Sequence, residues 1–138
     1  MTAKTMTLKF NRDINGKPAD VYSAWLDPRN PANCWYGSVR LHFKPKKGDF
    51  YYFVAKDGRE EYPHYGRFLA LARGKRVEMT WMSRNTNGRE SIVTVTFKPK
   101  GKGTRLSLSH SNLPDNADGR AHNDGWNYFL GELVKSFQ

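Results

Sequence analysis

The stretch 118–138, DGRAHNDGWNYFLGELVKSFQ, decides how the rest of the chain reads. On a 3.6-residue turn His122, Trp126, Phe129, Leu130, Leu133, Val134 and Phe137 fall within an arc of roughly 140°, with Asp124, Tyr128, Lys135 and Gln138 outside it. One long amphipathic helix is expected, with Asp118 as the cap of its first turn. A helix interior glycine costs about 1 kcal/mol against alanine, so Gly125 and Gly131 need a reason. Close approach of a neighbouring strand beside Trp126 is the expected one. Such a helix needs an apolar surface to cover.

The preceding chain supplies that surface. Residues 5–11, TMTLKFN, alternate with Met6, Leu8 and Phe10 on one side, as a half-buried strand does. Pro18 opens a helix in which Val21, Ala24 and Trp25 recur at helical spacing until Asp27-Pro28 stops it. Asn30-Pro31 is expected to start a second short helix, PANCWYG, around Trp35 and Tyr36. From Ser38 the pattern becomes strand after strand: Val39, Leu41 and Phe43 in phase; then FYYFVA, with Phe50, Tyr52 and Val54 in phase although both of its faces are apolar. Asp57-Gly58 marks a hairpin. A long, bulged strand follows from Tyr62 to Leu71. Three more strands carry Val77, Met79 and Trp81, then Val93, Val95 and Phe97, then Leu106, Leu108 and His110. Pro114 ends the sheet. This order is that of an antiparallel meander, not of alternating β and α, so the fold class is α+β: a curved antiparallel sheet, two short helices and the long C-terminal helix. Because the two short helices span one end, sheet and helix are expected to leave a cavity between them.

Length and composition agree. The 138 residues suit one domain, 1–138, that buries roughly two-thirds of its unfolded surface. No apolar run is long enough for a membrane span, and residues 1–9 lack the features of a signal peptide, so a soluble cytoplasmic protein is expected. Cys34 is the single cysteine and has no partners at zinc-site spacing.

The pieces VYSAWLDP (21–28), KKGDFYYFVAKDG (46–58), YPHYGRFL (62–69), KRVEMTW (75–81), VTVTFKPKGKGTRLSLSHSNLP (93–114) and HNDGW (122–126) stand in an order and spacing that resembles the SRPBCC or START-like superfamily. Within it the chain is similar to bacterial proteins related to the C-terminal domain of the activator of Hsp90 ATPase. Gly48-Asp49 stands where such proteins usually carry paired glycines. The resemblance implies the helix-grip fold, a hydrophobic cavity and, in many relatives, an apolar ligand such as a lipid or polyketide. It also implies two further roles, regulation of a chaperone ATPase and the cyclase or aromatase chemistry found elsewhere in the superfamily.

Alternation and resemblance together nominate Trp25, Trp35, Phe43, Tyr52, Met79, Trp81, Val95, His110, Trp126 and Phe129 as cavity wall. Packing alone could account for each, since burying a large side chain is worth about 1.5–3 kcal/mol. The seven tyrosines and four tryptophans against two isoleucines favour recognition, because the polar atoms of Tyr and Trp need partners that a plain core avoids. His110 or a tyrosine hydroxyl would orient a ligand, and His122 is a second polar group near the helix start. No Ser, Cys or carboxylate is spaced to complete a triad with either histidine. His42, on an outer phase, and His64, near a loop, make no metal cluster, and no cofactor is expected. Sites of catalysis are likewise left unassigned.

The net charge is +10. In a meander the turns after the second, fourth and sixth strands share one end. They hold Lys44, Lys46, Lys47, Arg73, Lys75, Arg76, Lys98, Lys100 and Lys102 against Asp49. The opposite turns balance Lys56, Arg59, Arg84 and Arg89 with Asp57, Glu60, Glu61 and Glu90. One end should therefore be strongly positive, suited to an acidic protein, an anionic lipid surface or nucleic acid, or simply to solubility and edge protection. Nothing in the pattern points to sequence-specific reading of nucleic acid. A small hydrophobic ligand is the expected partner, and the chain is expected to be a monomer or weak dimer.

Overall fold

The computed structural model describes residues 4–33, 35 and 39–138, with side chains omitted at 39, 40 and 57. Seven strands form one antiparallel sheet: β1 (Thr5–Ile14), β2 (Val39–Phe43), β3 (Phe50–Asp57), β4 (Glu60–Ala72), β5 (Arg76–Ser83), β6 (Ser91–Lys100) and β7 (Gly103–Pro114). Their order is β1-β7-β6-β5-β4-β3-β2, a meander from β2 to β7 closed by β1 beside β7. Helix α1 (Pro18–Leu26) starts on proline and ends at Asp27. Beyond it residues 31, 32 and 35 lie in turns. The second short helix expected over 31–37 is therefore not formed by its described residues, and 34 and 36–38, Cys34 and Tyr36 included, lie outside them. Asn33 explains the turn: its side chain donates to the carbonyls of Ala24 and Asp27 and accepts from the amide of Trp35. These bonds fold the segment back on α1 in place of helical ones.

The C-terminal segment is divided into α2 (Ala117–Arg120) and α3 (His122–Ser136), joined at Ala121, which keeps helical angles. The cap is Asn116, whose side chain accepts from the Gly119 amide at 3.0 Å, and not Asp118. Asp118 instead accepts from the Asn87 side chain at 3.0 Å, tying the helix start to the β5–β6 turn.

Inner-face residues of β5, β6 and β7 alternate as expected, with Val77, Met79, Trp81, Val93, Val95, Phe97, Leu106, Leu108 and His110 all buried. Strand β3, whose two apolar faces leave its phase open in the sequence, turns Tyr51 and Phe53 inward in place of the nominated Tyr52; on the other side Phe50 is 69% exposed and Val54 is buried. Register fixes this choice. Tyr51 faces Gly66 across the β3–β4 ladder, and its hydroxyl donates to the Thr80 carbonyl on β5 at 2.6 Å. A Cβ on Gly66 would stand 2.2 Å from that carbonyl oxygen, so only glycine admits the approach. A four-tryptophan cluster then fills the centre: Trp25 stacks on Trp126 at 5.8 Å, and the Trp35 indole donates to the Trp25 carbonyl at 2.8 Å.

Candidate ligand-binding cleft

At the end of the sheet away from the lysine-rich turns, the inner face and α3 separate around a cleft of about 720 Å³, open on one side. Strand β3 contributes Ala55 and Lys56, β4 Tyr62 and His64, β5 Trp81 and Ser83, and the following turn Asn85. Opposite them stand Ala121, His122, Asp124, Gly125, Trp126, Tyr128 and Phe129. Local sequence explains both walls. Counting back by twos from buried Phe68 puts Gly66, His64 and Tyr62 on the inner face of β4. On α3, His122, Trp126 and Phe129 follow helical spacing and face the sheet, while Gly125 leaves a gap between them.

That gap is open. A Cβ on Gly125 would meet nothing within 4 Å, and the same holds for Gly131. The close strand approach expected at Gly125 is therefore absent, and its missing side chain enlarges the cleft instead.

Of the ten nominated wall residues, Trp81, Trp126 and Phe129 line this cleft. Trp25, Trp35, Phe43, Met79 and Val95 are buried in the core cluster away from it. Tyr52 is half-buried on the outer side, a consequence of the β3 phase. His110 is fully buried behind the indole of Trp126. The lining residues left out of the nomination include Tyr62, His64, Gly125 and Tyr128. For His64 the signal was present in its alternation with Phe68, masked by Pro63 and Gly66 between.

The protons around His110 can be placed. An indole nitrogen only donates, so Trp126 Nε1 gives its hydrogen to His110 Nδ1 at 2.9 Å. His110 Nε2 then carries the ring proton and donates to Ser91 Oγ at 2.7 Å, while Ser91 donates onward to the Trp81 carbonyl at 2.6 Å. Every polar atom of this Trp126–His110–Ser91 relay is satisfied and the ring is neutral. Burial, followed by the nearby His122 and His64, holds its pKa well below the usual imidazole value. A handle for ligand is already in use here, which corrects the expectation placed on His110.

The cleft wall differs. Among the described residues, His64 Nδ1, Trp81 Nε1 and His122 Nε2 are buried with no protein hydrogen-bond partner, and all three belong to side chains that line the cleft. The only other such nitrogen is Trp25 Nε1, in the core. His122 Nδ1 lies 3.2 Å and 3.1 Å from the carbonyls of Asp118 and Gly119, so that nitrogen holds the proton and Nε2 presents a lone pair. Burial lowers the His122 pKa, partly offset by those carbonyls. His64 stacks on Phe53 at 4.5 Å, and burial lowers its pKa to about 4. Among the described residues, the only charged groups on the lining are Lys56 and Asp124, both exposed. No cluster of three or more His, Cys, Asp or Glu groups able to hold a metal occurs among the described residues.

The far end holds the β2–β3, β4–β5 and β6–β7 turns. Among the described residues Lys44, Lys46, Lys47, Arg73, Lys75, Lys98 and Lys102 make no ion pair, whereas Arg76 pairs with Glu78 and Lys100 with Asp13. Asp13, which Arg105 also holds, has its pKa lowered to about 2 by the Arg105 and Lys100 hydrogen bonds. No described helix is long and apolar enough to cross a membrane.

A curved antiparallel sheet gripping a C-terminal helix, with a cleft left open between them, defines a helix-grip protein of the SRPBCC or START-like superfamily. Within it the chain belongs to the family described as Activator of Hsp90 ATPase homolog 1-like protein, whose model matches residues 15–138. Among solved structures it is similar to protein CV1439 from Chromobacterium violaceum, with 26% identity, a TM-score of 0.80 and 95% of this chain and 96% of that one covered. CalU16 from Micromonospora echinospora shares the fold at 19% identity and a TM-score of 0.75, over 97% and 77% of the two chains. So does DynU16, a protein in the dynemicin biosynthetic locus, at 21% identity and 0.76; 94% of this chain matches 46% of that one. No curated protein matches the chain.

Proposed function

We propose that the protein binds a small, mainly apolar, uncharged ring compound in the cleft between β3–β5 and α3. The observation that carries this reading is the cleft itself, about 720 Å³ with aromatic walls, a size within the roughly 300–1,000 Å³ of small-molecule sites. Gly125 supports it, since a glycine that weakens the helix and relieves no crowding serves the space beside it. Uncharged ligands are favoured because, among the described residues, no buried cation stands on the lining to meet a carboxylate, and burying an unpaired charge is costly. Tyr62, Trp81, Trp126, Tyr128 and Phe129 offer faces and edges for ring stacking.

Trp81 and Trp126 report on occupancy directly. Titration of intrinsic fluorescence with flat hydroxylated ring compounds is expected to quench emission saturably, with free fatty acids at least tenfold weaker. Gly125→Leu should weaken the effect tenfold or more while leaving near-ultraviolet circular dichroism intact. Saturable quenching that Gly125→Leu leaves unchanged would place the ligand elsewhere and overturn the reading.

A second reading, regulation of a chaperone by contact with its acidic surface, is favoured by the seven cations that make no ion pair among the described residues at the far end of the sheet. Binding of that kind falls steeply with salt and ignores Gly125→Leu. A cyclase-like enzyme loses its nominee, because His110 has both ring nitrogens committed.

A further inference from the structure

The outer face of the sheet is divided in two. On β1, β7 and β6 it presents Lys9, Asn11, Ser107, Ser109, Thr94 and Thr96, an ordinary solvated surface. On β3 and β4 it presents rings. Phe50 is 69% exposed and Tyr65 46% exposed, and half-buried Tyr52 lies directly opposite Tyr65 and two residues along from Phe50. Immediately before Phe50 comes the β2–β3 turn with Lys44, Lys46 and Lys47, all exposed and without ion pairs among the described residues. The turn is held in shape by backbone bonds, Lys46 to the Lys44 carbonyl and Gly48 to the Phe68 carbonyl on β4, both at 2.8 Å.

We propose that this stripe and turn form a platform for single-stranded nucleic acid, with bases stacked on Phe50, Tyr52 and Tyr65 and phosphates on Lys44, Lys46 and Lys47. Side chains two apart on a strand stand ~7 Å from one another, about twice the 3.4 Å rise of stacked bases. An opened-out strand with a ring inserted at each step has that spacing. Every base has a π-face, so such binding is tolerant of sequence and requires no groove-reading helix. The net charge of +10 favours a polyanion over a neutral partner.

Other occupants fit less well. An anionic membrane docked on the lysine turns would leave the cleft mouth at the opposite end, pointing away from the source of any apolar ligand. Duplex DNA would offer phosphates alone, because its bases are already stacked.

The test is fluorescence anisotropy with a labelled oligothymidylate of about 12 nucleotides, within the ~4–16 nucleotide sites of other sheet-based binders, at ~50 mM salt. Single strand is expected to bind at least tenfold more tightly than duplex of the same length. The double variant Phe50→Ala, Tyr65→Ala should weaken it about tenfold or more and leave the slope of log affinity against log salt unchanged. Lys46→Glu with Lys47→Glu should lower that slope by about 1.4, at ~0.7 per phosphate released. Both pairs are surface positions, so unchanged circular dichroism certifies the fold. Equal affinity for duplex, with no effect of the aromatic variant, would reduce the interaction to bulk charge and overturn the proposal. So would binding to phosphatidylglycerol vesicles, or self-association in sedimentation, if either were abolished by the aromatic variant while oligothymidylate failed to bind.

Discussion

Two histidine environments lie between the inner face of the sheet and α3, and they differ in whether every proton has somewhere to go. Around His110 each donor meets an acceptor, from Trp126 through Ser91 to the Trp81 carbonyl. Around His64 and His122, whose side chains line the cleft, one buried nitrogen of each ring faces no partner among the described residues. The rings of His110 and His122 are only 5.0 Å apart, so the contrast is not one of location. It separates a histidine that builds the protein from histidines that the fold leaves available. A satisfied network specifies one arrangement and resists change; an unsatisfied one destabilises the fold until something supplies the missing bonds.

The same substitution at the two places should act with opposite sign. His110→Phe strips Trp126 Nε1 of its acceptor inside a fully buried site and is expected to cost about 3 kcal/mol in urea unfolding. His64→Phe keeps the stacking on Phe53 and removes a buried nitrogen with no partner, so stability should hold or rise by up to about 1 kcal/mol. If both variants lost stability equally, the distinction between the two sites would fail.

Acid sharpens the contrast next. Burial lowers the His64 pKa from 6.5 to about 4 in the fold, and lowers those of His110 and His122 too. Between those values the unfolded chain binds protons that the folded one refuses, so stability is complete above pH 6.5 and declines as pH falls toward 4. His64 alone accounts for on the order of 3 kcal/mol of that decline. His64→Phe should remove its share, measured as unfolding midpoints from pH 7 to 4.

Gly125 tests the cleft side with a smaller change. Gly125→Ala meets no atom within 4 Å and should raise stability by about 1 kcal/mol through helix propensity. A loss would show that strain, and not space, is the reason for the glycine.

How far these features could be read beforehand depended on what distinguishes one alternative from another. Strands β5, β6 and β7 alternate apolar with polar, so only one phase buries the apolar set, and their inner faces were legible. In β3 the run FYYF is aromatic on both sides, and alternation has no preference. Its phase is decided by Gly66 and the Thr80 carbonyl, on two other strands. That phase exchanged Tyr52 for Tyr51 on the inner face and created the outer stripe. Gly125 had the opposite problem, since crowding and open space both call for a residue without a side chain. Asn116 and Asp118 are both capping types two positions apart, and the chain direction after Pro114 selects between them. His110 was legible as an inward residue, but its commitment depends on an indole 16 residues further along the chain.

The smallest effect separates the buried histidines from a rival cause of acid sensitivity. A protein of net charge +10 gains further positive charge as pH falls, and general repulsion could weaken it over the same range. Lys102, exposed in the β6–β7 turn and without an ion pair among the described residues, lies at the far end from the cleft. Lys102→Glu lowers the net charge by two and touches none of the three histidines. At pH 7 it should alter stability by no more than about 0.5 kcal/mol, as surface substitutions do, and the difference should vanish in concentrated salt. Its decline from pH 6.5 to 4 should then run parallel to that of the unaltered protein. A shallower decline in Lys102→Glu, equal to that of His64→Phe, would assign the acid response to overall repulsion; a parallel one assigns it to imidazoles held neutral beside the cleft.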